Sequence, residues 1–274
     1  MRVLPCSKQL EVLQLLTEGC SIRSIERIAK VNRNTVLRYI LKMGKGSEFL
    51  TDTLFRNLRP KVVEIDEIHT FVFKKQHRLS DWQRTDPDCP WGDQYTYTAI
   101  DPKSRSLLAT HTGKRDMLNT MEFIGKLKRT LEDNHRVQLV SDGWEAYVYA
   151  IGSIFGGQNV DYSQVVKPFN DSVRRGDPMT MDIRRCFGKP DPRFETTTKV
   201  ERQNLLMRTQ IKRFTRRTNG HSKVLKYLRA AVHLHSAWYN LVRRHSSLAG
   251  FTPAYAIGVT EKVWSLEDLL WEIV

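Results

Sequence analysis

The stretch Val62-Val63-Glu64-Ile65-Asp66-Glu67-Ile68 sets β-branched residues around an acid, Asp66, and predicts a strand. A carboxylate inside an apolar strand is costly unless a cation or hydrogen-bond donors compensate, so Asp66 calls for a reason. Further strands are predicted at Gln94 to Ile100, ended by Asp101-Pro102, and at Ser106 to Thr110. His77 to Asp93, rich in Asp and Pro, reads as a long loop between the first two. A helix follows from about Met117 to Leu131, with Phe123, Ile124, Leu127 and Leu131 apolar. The fourth strand, Val137 to Val140, runs into Ser141-Asp142-Gly143 and puts a second acid at a strand's carboxyl end, where sites in α/β sheets are favoured. A fifth strand is expected near Val160 to Val166. Residues 168–198 hold four prolines and read mostly as loop; from Lys199 the chain turns helical to about Thr215, and again from Ser222 to about Arg244.

Upstream, three short helices are predicted. Ser7 caps the first, Lys8 to about Glu18, and Gly19 ends it. Ser21 caps the second, through Ala29, and Asn32 caps the third, Arg33 to Met43, which Gly44 stops. Two short helices joined by a tight turn form a helix-turn-helix pattern, although Lys30 stands where the turn commonly has Gly. Its recognition helix would present Arg33, Asn34, Thr35 and Arg38 to a major groove, and Arg and Asn are the side chains that bond guanine and adenine edges in pairs. The expected organisation is a helix-turn-helix domain at 1–44, a linker at 45–60, a catalytic domain at 61–247 and a helical extension at 248–274.

Charge supports a polyanionic partner. The net charge is +14, and residues 1–60 carry +6, residues 61–198 none, residues 199–247 +11 and residues 248–274 −3. Two basic blocks around a neutral middle suggest two places of DNA contact, double-stranded DNA being the expected partner. No run of about 18 uncharged apolar residues exists, which excludes a membrane span, and the N-terminus lacks the apolar stretch of a signal peptide. The four cysteines form no C-x-x-C pair, against a zinc site or a disulfide framework. A cytoplasmic, nucleoid-associated protein is expected.

Glu201 is the third acid of interest, the one Asp or Glu in residues 199–247. Carboxylates from separate points of a chain can hold two Mg²⁺ or Mn²⁺ ions about 3.5–4 Å apart, hard cations that prefer oxygen. Ile65-Asp66-Glu67, Ser141-Asp142-Gly143-Trp144-Glu145-Ala146-Tyr147 and Val200-Glu201-Arg202-Gln203-Asn204 together resemble the DDE transposases, and among them the IS1 type. Trp238-Tyr239-Asn240, Arg244-His245-Ser246-Ser247-Leu248, Thr252-Pro253-Ala254 and the ending Trp264-Ser265-Leu266-Glu267-Asp268-Leu269-Leu270 are similar to that family as well. The order of elements is that of an RNase H-like α/β domain, a mixed sheet flanked by helices, though pattern alone leaves other mixed α/β folds open.

The resemblance implies Asp66, Asp142 and Glu201 as catalytic, metal-binding acids with two divalent ions. It also implies hydrolysis at transposon ends followed by 3′-hydroxyl attack on target DNA, in a homo-oligomer. Arg208, seven residues after Glu201 and on its helical face, stands where such enzymes carry a basic residue. Asn204, Arg208 and Lys212 are expected DNA contacts. Glu67 and Glu145 are expected to face away, and His69, His233 and His235 to pack. The cysteine-rich zinc module that often opens IS1-type proteins is absent from residues 1–60. A non-catalytic DNA-binding protein, or a metal-dependent nuclease that does not join strands, stays open as an alternative.

Overall fold

The computed structural model describes residues 3–86, 88–157, 159–166 and 182–274. Three helices lead: α1 (Cys6–Thr17), α2 (Ile22–Ala29) and α3 (Arg33–Leu54). The Ser21 side chain accepts from Ser24 N and the Asn32 side chain from Asn34 N, as expected of N-caps. Ser7 caps nothing: α1 starts behind Pro5, one residue before it. Lys30 takes the left-handed conformation (φ 57°) in which a turn glycine would be at ease. Val12, Ile25, Ala29, Val31 and Val36 form the small core of this helical unit.

The helix does not stop at Gly44. It continues for 22 residues to Leu54, so residues 45–54, expected as linker, are helical. The two glycines are there for close packing: a Cβ on Gly44 would meet Ala230 at 2.5 Å, and one on Gly46 would meet the Ile273 carbonyl oxygen at 2.2 Å. Glycine weakens a helix by about 1 kcal/mol relative to alanine, but here it lets α3 lie against two other helices.

Those partners come last in the chain. After α3 come β1 (Val62–Val72), α4 (Asp81–Thr85), β2 (Gly92–Ile100), β3 (Leu107–Gly113), α5 (Met117–Thr130), β4 (Val137–Asp142), α6 (Glu145–Phe155), β5 (Val160–Val166), β6 (Asp182–Phe187), α7 (Thr198–Gln210) and the first of the partners, α8 (Leu225–Leu241). The chain closes with α9 (Pro253–Ala256) and α10 (Leu266–Ile273). The expected loop 168–198 thus contains a strand and the start of α7; its residues 168–181 lie outside the described residues. Strand β6 pairs antiparallel with β5, which supplies the partner that its sequence alone does not announce.

The sheet runs β3-β2-β1-β4-β5-β6. Strand β2 pairs antiparallel with both β1 and β3, and β4 and β5 lie parallel to β1. This is an RNase H-like mixed α/β fold, with a helical region at its N-terminus. The pleat of β1 sorts its residues between two layers. Val63 and Ile65 enter the main core with Phe123 of α5 and Tyr147 of α6. Ile68 and Val72 enter a second core with Met207 of α7 and Leu228 of α8. Each fully buried side chain of this kind stabilises the fold by about 1.5–3 kcal/mol. Asn240 of α8 bonds both the N–H (2.9 Å) and the carbonyl (2.8 Å) of Leu107, covering the open edge of β3. Among the described residues no helix is long and apolar enough to cross a membrane.

Candidate metal centre

Beyond the Glu64–Val140 pair, β1 and β4 no longer pair, and β4 turns into α6 through Gly143 and Trp144. A cleft of about 730 Å³ opens at that divergence, lined among others by Asp66, Arg115, Asp142, Trp144 and Glu201. All three acids expected from the sequence therefore line one cleft. They are not equivalent in it.

The tight cluster is Asp66, Glu67 and Asp142: one carboxylate oxygen of each lies within 4.8 Å of the others. Glu67 does leave β1 on the face opposite Asp66, toward Tyr147, whose hydroxyl donates to it at 2.9 Å. Because the strands have parted, its carboxylate still reaches Asp66 and Asp142. The expectation that Glu67 stands clear of the site is corrected. Glu201 lies outside this cluster, lining the cleft from the first turn of α7, where its Oε1 accepts from Thr197 Oγ1 at 3.0 Å.

Asn204, expected to touch DNA, is engaged within the protein. Its Nδ2 donates to Asp66 Oδ2 at 2.7 Å, and its Oδ1 accepts from Thr98 Oγ1 at 3.0 Å. It is a positioning residue for Asp66. Trp144 N donates to Asp142 Oδ1 at 3.1 Å and fixes the second acid in the same way.

Charge in the cluster is under-compensated. Burial, then repulsion from Asp142 and Glu201, lifts Asp66 to about 6 against the pull of Asn204 and a backbone N–H. Burial and Asp142 lift Glu67 to about 7, although Arg115 opposes the rise. Closely set acids whose ionised forms repel one another are an oxygen donor set that would suit a divalent cation. The donor set fits such an ion.

Arg115 is the residue that sequence reasoning missed. It lies in the loop between β3 and α5, pairs with Glu67 Oε1 at 2.5 Å, and reaches Asp142 Oδ2 at 3.5 Å. Its guanidinium lies over the Trp144 ring, 4.3 Å from the centroid. Nothing in Gly113-Lys114-Arg115-Asp116 announces this, since the contact depends on which strands adjoin. Arg208 has its Nη1 buried with no hydrogen-bond partner among the described residues, and Asp66 acts on it electrostatically. Lys212 sits elsewhere, in a short turn after α7, at a small cavity shared with Leu16, Cys20 and Ile40. Arg33, Asn34 and Arg38 are exposed at the start of α3 and Thr35 half-buried.

His69, expected to pack, is exposed instead, 3.4 Å from Asp93, and it is not among the residues that line the cleft. His235 is buried in α8 and His233 is half-buried there, 3.3 Å from Glu48; desolvation lowers them to about 3 and about 4.

No family model matches the sequence, and no curated protein matches it either. Among solved structures, the chain is similar to the Mos1 strand transfer complex, at 14% identity over 59% of this chain and 59% of that one, with a TM-score of 0.26. It is also similar to the Mos1 transposase paired-end complex with the left transposon end, at 13% identity over 59% of this chain and 60% of that one, TM-score 0.24. The matched region is thus about three fifths of each of those chains.

Proposed function

We propose that this chain is a DDE transposase of the IS1 type, which hydrolyses phosphodiester bonds at transposon ends and joins the freed 3′ hydroxyl to target DNA. The observation that carries the proposal is the convergence of Asp66 and Asp142, 76 positions apart in sequence, with Glu201 across from them, at one cleft. Glu67 joins the ligand set as a fourth acid. Mg²⁺ or Mn²⁺ ions held there would activate the attacking hydroxyl or water and stabilise the leaving oxygen.

The remaining parts are supplied by the chain itself. Asn204 and Trp144 N hold Asp66 and Asp142 in position. Arg208, with a donor left open beside Asp66, is placed to grip a phosphate of the strand being cut. Arg115 balances Glu67 and Asp142, and a metal ion held by those acids would share that role. The helix-turn-helix reads the element ends through Arg33, Asn34, Thr35 and Arg38, and pairing of two ends calls for at least a dimer on double-stranded DNA.

The test is incubation of the protein with DNA flanking its own gene, with Mg²⁺ or Mn²⁺, scored for nicked and joined products. Wild type should give both, and Asp66→Asn and Asp142→Asn neither. Cleavage without joined product would replace transposase by nuclease. Binding without cleavage in any metal would leave a non-catalytic DNA-binding protein.

A further inference from the structure

Helix α7 has two flanks. Glu201, Asn204 and Arg208 lie toward the acidic cleft, whereas Lys199, Arg202, Gln203 and Leu206, at spacings of three, four and seven, face the other way. That second flank borders a separate cavity of about 290 Å³, which Arg105, Arg243, His245 and Ser246 also line. Four cations line the cavity and no carboxylate among the described residues does.

Several of the chain's arginines are already committed to acids. Arg115, Arg136 and Arg185 each sit on a carboxylate at 2.5–2.9 Å. Arg105, Lys199, Arg202 and Arg243 have no ion pair among the described residues. The acid that acts on two of them is Glu64, buried beneath α7, and its Oε2 already accepts the N–H groups of Lys199 (2.7 Å) and Val200 (2.9 Å). The leading amides of α7 are likewise taken. His245 adds a shielded Nε2 with no hydrogen-bond partner among the described residues. Arg243, Arg105 and His245 line the same cavity, and both guanidinium groups act electrostatically on that ring.

The loop that carries Arg105 is held firmly. Asp101 accepts from Lys103 N (3.0 Å), Ser104 N (3.1 Å) and Ser104 Oγ (2.5 Å), and Arg105 itself is kept in the left-handed region at φ 63°. A non-glycine residue there is strained, yet its side chain is presented to the cavity without a protein partner.

We infer that this cavity binds a phosphate group of a DNA strand, as a second contact distinct from the metal cleft; the assignment to DNA rests on the function proposed above. Forked guanidinium donors match phosphate oxygens in pairs, and the hydroxyl of Ser246 and the open His245 nitrogen add neutral donors. The volume suits a phosphodiester and excludes a duplex, so the backbone enters while the helix stays outside. One helix width, about 10 Å, separates the two flanks of α7, roughly three base steps of duplex at 3.4 Å each. A DNA segment seated at the acids therefore passes within reach of the cavity.

The test uses the full chain in EDTA with a fluorescent 30-base-pair duplex of random sequence, binding being measured across roughly 50–250 mM NaCl. Arg105→Gln/Arg243→Gln should flatten the plot of log affinity against log salt by about 0.9 for each phosphate that is no longer neutralised. Arg105→Lys/Arg243→Lys, which keeps the charge, should retain most of the slope, and Mn²⁺ binding at the cleft should not change in either variant. If the glutamine pair fails to fold by thermal unfolding, Arg243→Gln alone carries the same comparison. An unchanged slope in a folded glutamine variant overturns the inference. So does an unchanged slope accompanied by loss of stabilisation by inorganic phosphate, which would make the cavity a site for a small oxyanion instead of DNA. Failure of the proposed function would show separately, as Mg²⁺-dependent cleavage that survives Asp66→Asn.

Discussion

Removing the central acid should make the metal-free protein more stable. Asp66 sits at about 6 in the fold against an ordinary 3.8, chiefly through burial. At 1.36 kcal/mol per pK unit, keeping it ionised at pH 7.5 costs the folded state about 3 kcal/mol. The sign follows from the direction: for an acid raised on folding, the favourable contribution is complete below the ordinary value and disappears as pH rises through about 6. Asp66→Asn removes the charge and keeps an oxygen to accept from Asn204 Nδ2, but it loses the extra strength of a charged acceptor. The net gain is then about 1–2 kcal/mol in EDTA at pH 7.5, or roughly 2–8 °C in Tm for a chain of this size. At pH 4, near the ordinary value, Asp66 is protonated in the fold and nearly half protonated when unfolded, and the advantage should fall below about 1 kcal/mol. With saturating Mn²⁺ the order should reverse, because only wild type is stabilised by a well-held ion. Urea unfolding followed by tryptophan fluorescence, at both pH values and with EDTA or Mn²⁺, measures all of this. An Asp66→Asn protein less stable than wild type in EDTA at pH 7.5 would refute the account of a charge-strained cluster.

Three further outcomes are expected. Mn²⁺ affinity by calorimetry should fall about 10- to 100-fold from pH 7.5 to 5.5, as Glu67 (about 7) and Asp66 (about 6) take up the protons that a metal must displace; a flat profile would remove both from the ligand set. Asn204→Ala should weaken Mn²⁺ binding roughly tenfold while leaving the circular dichroism spectrum unchanged, and unaltered binding would show that Asp66 needs no such support. Gly46→Ala should destabilise by about 1–3 kcal/mol in urea despite alanine's better helix propensity, since its Cβ would meet the Ile273 carbonyl oxygen at 2.2 Å. A stabilised Gly46→Ala protein would mean that α3 and α10 are not in contact in solution.

What the sequence reveals here is what local chemistry reveals. Asp66 and Asp142 betray themselves as acids in or at the end of apolar strands, and Ser21 and Asn32 as caps, because each signal lies within a few residues. Glu67 and Arg115 do not, because their roles depend on where β1 and β4 cease to pair and on which loop lies opposite. Asn204 is visible as a polar residue on the same helical face as Glu201, but its partner, Asp66, lies 138 positions away. Gly44 and Gly46 mislead for a related reason: the same residue type that ends a helix also permits close packing within one, and the choice is made by Ala230 and Ile273. Strand β6, with its exposed residues, exists by virtue of the β5 edge it pairs with.

The unbroken α3 has a consequence for measurement along DNA. At 1.5 Å per residue its 22 residues form a shaft of about 33 Å, with the groove-reading residues at one end and the Gly44 and Gly46 contacts with α8 and α10 near its middle. That length is close to one turn of B-DNA. A jointed arm would let the base-reading end wander relative to the acids; a shaft clamped through two glycines works as a caliper. On the proposed function, the distance between the bases read and the bond cut becomes a fixed dimension of the protein, and inserting one residue into α3 would turn the reading face by about 100° instead of lengthening its reach.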